Sequence, residues 1–131
     1  MKKIGILNQP LSTAVAGLGH LDTLVIADAG LPIPAGPQRI DLALAQGVPS
    51  FLKTLDVVLT EMQVEKAIVA EDMLRVSPDL YAAIQKRLGQ TPLKTVTHLI
   101  FKEQTREAAA VVRTGEFTPY ANIILVAGVI F

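Results

Sequence analysis

Short aliphatic runs alternate along this chain with segments of helical period, and that alternation restricts the fold more than any other feature. Thr23-Leu24-Val25-Ile26-Ala27 is an unbroken apolar run ending at Asp28, as in a strand buried on both faces. Val64 to Ala70, Leu93 to Thr97, Ala108 to Arg113 and Ile123 to Phe131 read as further strands, and Arg39 to Leu44 alternates in the manner of a half-buried one. Between them lie helix patterns. Leu11, Val15 and Leu18 share a face over about Pro10 to Leu18, with Pro10 in the first turn and Gly19 at the stop. Ser50 caps a helix over about Phe51 to Met62, with Phe51, Leu55, Leu59 and Met62 inward. Ser77-Pro78 opens another, with Leu80, Ile84 and Leu88 inward and Gly89 at its end, and a last helix spans about Leu99 to Glu107. Strands interleaved with helices predict an α/β fold: one domain over residues 1–131, its sheet flanked by helices.

Composition narrows the partners. Half of the residues are apolar but only 5% are aromatic, so the core is built from Leu, Ile, Val and Ala. That much aliphatic surface on a 131-residue chain predicts a homo-oligomer that buries some of it between subunits. Twelve basic and twelve acidic residues cancel, and no basic stripe is present, which argues against nucleic acid and anionic membrane as partners. The absence of cysteine excludes a disulfide framework, a thiolate metal site and a Cys nucleophile. Met1-Lys2-Lys3 before apolar residues imitates a secretory signal, but Asn8-Gln9-Pro10 interrupts the run, and Ile123 to Phe131 falls far short of the ~18 residues that span a bilayer. The expectation is a soluble, cytoplasmic protein.

Few residues can carry chemistry. His20 and His98 each stand just past the end of an element, and Asp28 ends an apolar strand, where ligands of α/β sheets gather. Tyr120 and Asn122 are two apart before the last strand, so an extended segment would point both the same way. Each also has an ordinary structural reading. His20 beside Gly19 can be a helix C-terminal cation, and His98 a solvated first-turn residue. Asp28-Ala29-Gly30 can be a turn, and Asn122 a turn bridge. Asp22, Asp41 and Glu116 read as surface or turn residues, and Glu71-Asp72, after the strand ending at Ala70, is a weaker rival site. A Walker loop, a GxGxxG fingerprint, a His-Glu-x-x-His helix and a G-x-S-x-G elbow are all missing, and two histidines alone argue against a metal site.

The run Arg113-Thr114-Gly115-Glu116-Phe117-Thr118-Pro119-Tyr120-Ala121-Asn122 resembles the C-terminal signature of the D-ribose pyranase family of sugar mutarotases. Gly5-Ile6-Leu7-Asn8, Gly17-Leu18-Gly19-His20, Val25 to Pro32 and the closing Ala127 to Phe131 extend the resemblance over essentially the whole chain, while Met73 to Lys94 carries no motif. The resemblance implies a three-layer α/β/α fold and exchange of D-ribose between pyranose and furanose forms, with no metal or other cofactor. It implies that His20 is the acid and that Asp28, His98, Tyr120 and Asn122 contact the sugar. It further implies a ring-shaped homo-oligomer, a pentamer or two stacked pentamers, with sites shared between subunits. His98, Tyr120 and Asn122 are expected on one wall of such a site and His20 with Asp28 on the other. A fucose-type mutarotase and a non-catalytic sugar-binding accessory of ribose uptake are the alternatives.

Overall fold

The computed structural model describes residues 1–131. A six-stranded mixed sheet runs through it, made of β1 (Thr23–Ala27), β2 (Gln38–Asp41), β3 (Val64–Ala70), β4 (Leu93–Val96), β5 (Ala110–Arg113) and β6 (Ile123–Ala127). Their order across the sheet is β2-β5-β1-β6-β3-β4. β1 pairs in parallel with β5, β5 with β2, and β3 with β4. Only β6 is reversed, lying antiparallel between β1 and β3.

Five α-helices cover the sheet: α1 (Gln9–Gly17), α2 (Phe51–Leu59), α3 (Asp72–Val76), α4 (Pro78–Leu88) and α5 (His98–Gln104), the last continuing as a 3-10 turn over Thr105–Glu107. One face carries the larger core, where Leu24, Ile26, Ile123 and Leu125 meet Phe51, Leu55 and Val58 of α2 and Leu80, Ile84 and Leu88 of α4. Each fully buried aliphatic or aromatic side chain contributes about 1.5–3 kcal/mol. The other face has a smaller core, with Phe101 of α5 against Val25, Ala27, Val111 and Ile124. The α/β class is therefore as the alternation predicts and the three layers as the resemblance implies, and no helix is long and apolar enough to cross a membrane.

Several boundaries differ from the sequence reading for local reasons. Asn8, whose side chain accepts from the Leu11 N–H at 3.0 Å, starts α1 one residue before Pro10. β2 stops at Asp41 rather than Leu44, because the Asp41 carboxylate accepts the Ala43 N–H and turns the chain. β6 stops at Ala127, leaving Ile130 and Phe131 exposed. α2 ends at Leu59, not Met62, and α3 has no expected counterpart. Ser77-Pro78 does open α4, but the Ser77 hydroxyl makes no cap bond and donates instead to the Pro119 carbonyl at 2.8 Å, reaching into the loop that precedes β6.

Candidate active site

The reversed strand decides which residues meet. Asp28 follows β1 and His98 follows β4, so both stand at the carboxyl edge of the parallel strands. Tyr120 and Asn122 precede β6, yet antiparallel pairing brings the start of β6 to that same edge. These four side chains line one open pocket of about 270 Å³ together with Gly30, Leu31 and Pro32.

Asp28 and Asn122 form its floor. The Asp28 N–H donates to Asn122 Oδ1 at 2.9 Å, and Asn122 Nδ2 donates to Asp28 Oδ2 at 3.0 Å. Asp28 Oδ1 accepts the N–H groups of Gly30 and Leu31 at 3.0 and 2.8 Å. The carboxylate is thus held from two sides, as an Asx turn and as half of a side-chain pair. Asn122 is 3% exposed, and both of its side-chain hydrogen bonds are with Asp28. His98 is the first residue of α5, whose start is capped by Thr97 Oγ1 accepting from the Ile100 N–H. Its ring meets Tyr120 edge to face, centroids 5.1 Å apart.

Tyr120 corrects the expectation of an extended segment. Its φ is +61°, and the Asn122 N–H closes a tight turn on the Tyr120 carbonyl at 2.8 Å. A left-handed non-glycine residue costs about 1–3 kcal/mol and persists only where its surroundings hold it. Beside Tyr120, Ser77 Oγ donates to the Pro119 carbonyl and the Ala121 N–H to the Thr118 carbonyl, and the rest of the signature run is pinned in turn. Arg113 donates to the Ala29 carbonyl and pairs with Asp41. Thr114, fully buried, donates to the Ala27 carbonyl at 2.7 Å. Gly115 lies so close to the 45–48 loop that a Cβ would collide with the backbone of Ala45 and Val48. Glu116, read from sequence as a surface or turn residue, instead accepts the Phe51 N–H at 3.0 Å and so caps α2. Burial pushes its carboxyl up, but hydrogen bonds from Phe51, Thr118 and Phe117 outweigh burial and hold it below the ordinary carboxylate range. The signal for this clamp was its density of Thr, Gly, Pro and Glu in one short loop, which turn chemistry alone does not resolve into partners.

His20 lies elsewhere. It precedes β1, so the five residues of that strand separate it from Asp28, about 16 Å at 3.3 Å per residue. Its Nε2 meets Glu65 Oε2 at 3.0 Å, and the ring is half exposed. The next residue, Leu21, has a φ of +72°, the only other left-handed non-glycine in the chain. The two-wall expectation is therefore corrected: Asp28 stands with His98, Tyr120 and Asn122, and His20 stands apart, partnered by Glu65 rather than by Asp28. The rival pair does not join either place; Glu71 is exposed and Asp72 faces Arg75 at 4.0 Å.

Residues 1–130 match the RbsD / FucU transport protein family. The chain belongs to this family. A D-ribose pyranase of Geobacillus thermodenitrificans is 55% identical over 131 residues, covering 100% of this chain and 99% of its own. The fold of Bacillus subtilis RbsD complexed with D-ribose superimposes with a TM-score of 0.97 at 47% identity, with both chains covered completely. The fucose mutarotase of Streptococcus pneumoniae, in complex with L-fucose, also covers both chains, with a TM-score of 0.81 at 25% identity.

Proposed function

We propose that the chain is a D-ribose pyranase, which opens the six-membered ring of ribose and recloses it as the five-membered form. The observation that carries the reading is the convergence of Asp28, His98, Tyr120 and Asn122 on one small polar pocket in a chain 55% identical over its whole length to a D-ribose pyranase.

The reaction is redox-neutral. A proton must reach the ring oxygen while one leaves the anomeric hydroxyl, giving the open aldehyde. That aldehyde rotates, and a different hydroxyl attacks the carbonyl carbon with the same two proton movements reversed. Asp28 Oδ2, with one Asn122 N–H already bound, keeps acceptor capacity for a sugar hydroxyl. Tyr120 supplies a phenol and His98 an imidazole on the facing side, which suits a ligand bearing a hydroxyl on nearly every carbon. His20 is the proton donor in this reading. Imidazole gives and takes protons near neutrality, and one such group contributes roughly 10²–10⁴-fold.

Since His20 and Asp28 occupy opposite ends of β1, the site is completed between copies: His20 of one subunit faces the pocket of the next. A closed ring of subunits, a pentamer or two stacked pentamers, satisfies that head-to-tail geometry. A cytoplasmic location accords with a chain free of cysteine.

Saturation-transfer NMR on free ribose tests the reading. A catalyst carries saturation from pyranose to furanose signals at a rate proportional to protein, whereas a sugar-binding accessory only broadens them. Faster exchange on fucose than on ribose would assign the fucose-type activity instead.

A further inference from the structure

The end of the sheet that holds His20 carries a β-bulge, a close-packed glycine and a left-handed residue, and all three bear on one contact. The pairing of β3 with β6 slips by one residue between Val64 and Lys66, so that Glu65 is the extra residue of a β-bulge. Val64 and Ala67 both face the larger core, three positions apart instead of an even number, which leaves Glu65 and Lys66 exposed together. A bulge re-aims the side chain it carries, and Glu65 is turned onto His20 Nε2 at 3.0 Å. Opposite it, Gly128 leaves the room: a Cβ there would stand 3.0 Å from Glu65 Cβ and 3.5 Å from its Oε2. On the other side, the Leu21 N–H donates to the Ala127 carbonyl and the Ala127 N–H to the Asp22 carbonyl, so the left-handed Leu21 fixes the loop bearing His20 to the end of β6. Asp22 is spent on the Gly19 N–H at 2.8 Å.

We infer that Glu65 is the positioning residue for His20, fixing its imidazole with Nε2–H toward the carboxylate and Nδ1 toward substrate. The inference rests on His20 being the proton donor. With Nε2–H committed to Glu65, the neutral ring presents a bare Nδ1 as base, and the protonated ring presents Nδ1–H as acid. Proton exchange with the sugar therefore passes through one defined nitrogen, without the ring having to turn over between the two steps. A carboxylate that orients a catalytic histidine in this way settles its tautomer.

The chain has two histidines, so protein labelled with ¹⁵N in histidine gives a two-residue spectrum, and His20→Ala identifies the signals of each. In the parent protein, His20 should show a protonated Nε2 and an unprotonated Nδ1 at alkaline pH. Glu65→Ala should convert it to a mixture of tautomers and lower kcat for ribose exchange by roughly tenfold or more, with KM little changed. Glu65→Gln, whose amide oxygen still accepts from Nε2–H, should restore the tautomer and much of the rate. It also serves should the alanine variant fold poorly. If His20→Ala abolishes exchange while both Glu65 variants keep the parental rate and His20 spectrum, the positioning role is overturned and the acid assignment stands. If His20→Ala itself exchanges at the parental rate, the acid assignment fails, and the role of Glu65 with it.

Discussion

Asn122 and Asp28 hold each other twice, with Asn122 Oδ1 accepting the Asp28 N–H and Asn122 Nδ2 donating to Asp28 Oδ2, across 94 positions of sequence. The pair joins the end of β1 to the start of β6 just beyond their last ladder pair, Ile26 and Ile123. It therefore acts as a side-chain extension of the sheet and fixes the carboxylate at the pocket floor. Removing the amide would strand an N–H in a half-buried place, at about 1–3 kcal/mol.

Asn122→Ala is accordingly expected to lose stability by about that amount and to weaken ribose binding, because the Asp28 carboxylate loses its second anchor. Urea denaturation and a ribose titration followed by NMR check the two effects separately. In a double-mutant cycle with Asp28→Ala, the stability losses should couple by about 0.5–3 kcal/mol. Additive losses would show that the two side chains act independently.

His20→Ala should reduce pyranose–furanose exchange by roughly 10²-fold or more. The ring is half exposed and outside both cores, so the unfolding free energy should stay within about 0.5 kcal/mol of the parent. A folded variant with parental exchange would remove His20 from the mechanism.

The α/β class and most helices were legible because they follow from periodicity, which a single sequence displays. The reversal of β6 was not, since Ile123 to Ala127 is apolar on both faces and carries no sign of direction. That one reversal is what brings Tyr120 and Asn122, which precede their strand, to the same edge as Asp28 and His98, which follow theirs. It also places Gly128 beside Glu65 and His20 at the opposite edge. The four pocket residues were thus readable as candidates but not as neighbours. The grouping of Asp28 with His20 failed because both flank β1, and nearness in sequence across a strand means separation by its length. Glu116 reads as a surface or turn residue because a carboxylate in a turn-rich loop gives no hint that its partner is the start of a helix 65 residues away.

Acid should loosen this scaffold through two carboxylates whose values are depressed in the folded state. In Glu116, burial is outweighed by the hydrogen bonds from Phe51, Thr118 and Phe117; in Glu61, the Ile6 N–H dominates, aided by Lys2. A depressed carboxyl adds stability that is present above its unfolded value and is lost as pH falls through the folded one. Stability should therefore be flat near neutrality and decline once pH drops below the ordinary carboxylate range. Glu116→Gln should flatten that decline, measured as urea midpoints across the acid range. An unchanged pH slope would show that the cap on α2 does not depend on ionisation.

Catalysis should survive exhaustive chelation. The chain has no cysteine, and its two histidines sit at opposite edges of the sheet, so neither can join the other in a ligand set within one chain. Exchange that collapses with chelator and returns with added zinc or manganese would reveal a metal centre built between subunits.

Subunit mixing tests the division of the site most directly. In the geometry proposed here, each complete site takes His20 from one copy and Asp28, His98, Tyr120 and Asn122 from another. Rings of His20→Ala subunits alone, or of Tyr120→Ala subunits alone, have a lesion in every site. In a mixed ring, a site at a junction between the two variants can draw an intact His20 from a Tyr120→Ala subunit and an intact pocket from a His20→Ala subunit. Random mixing in equal amounts makes about a quarter of all sites fully intact, because each of the two choices is correct half the time in a head-to-tail ring. Recovered exchange should therefore approach roughly a quarter of the parental rate, after native mass spectrometry has shown oligomers containing both variants. Asp28→Ala adds a control specific to the corrected grouping. Paired with His20→Ala it should complement, and paired with Tyr120→Ala it should not, since Asp28 and Tyr120 line the same pocket of the same chain. Complementation of the second pair, or none in the first despite co-assembly, would overturn this arrangement.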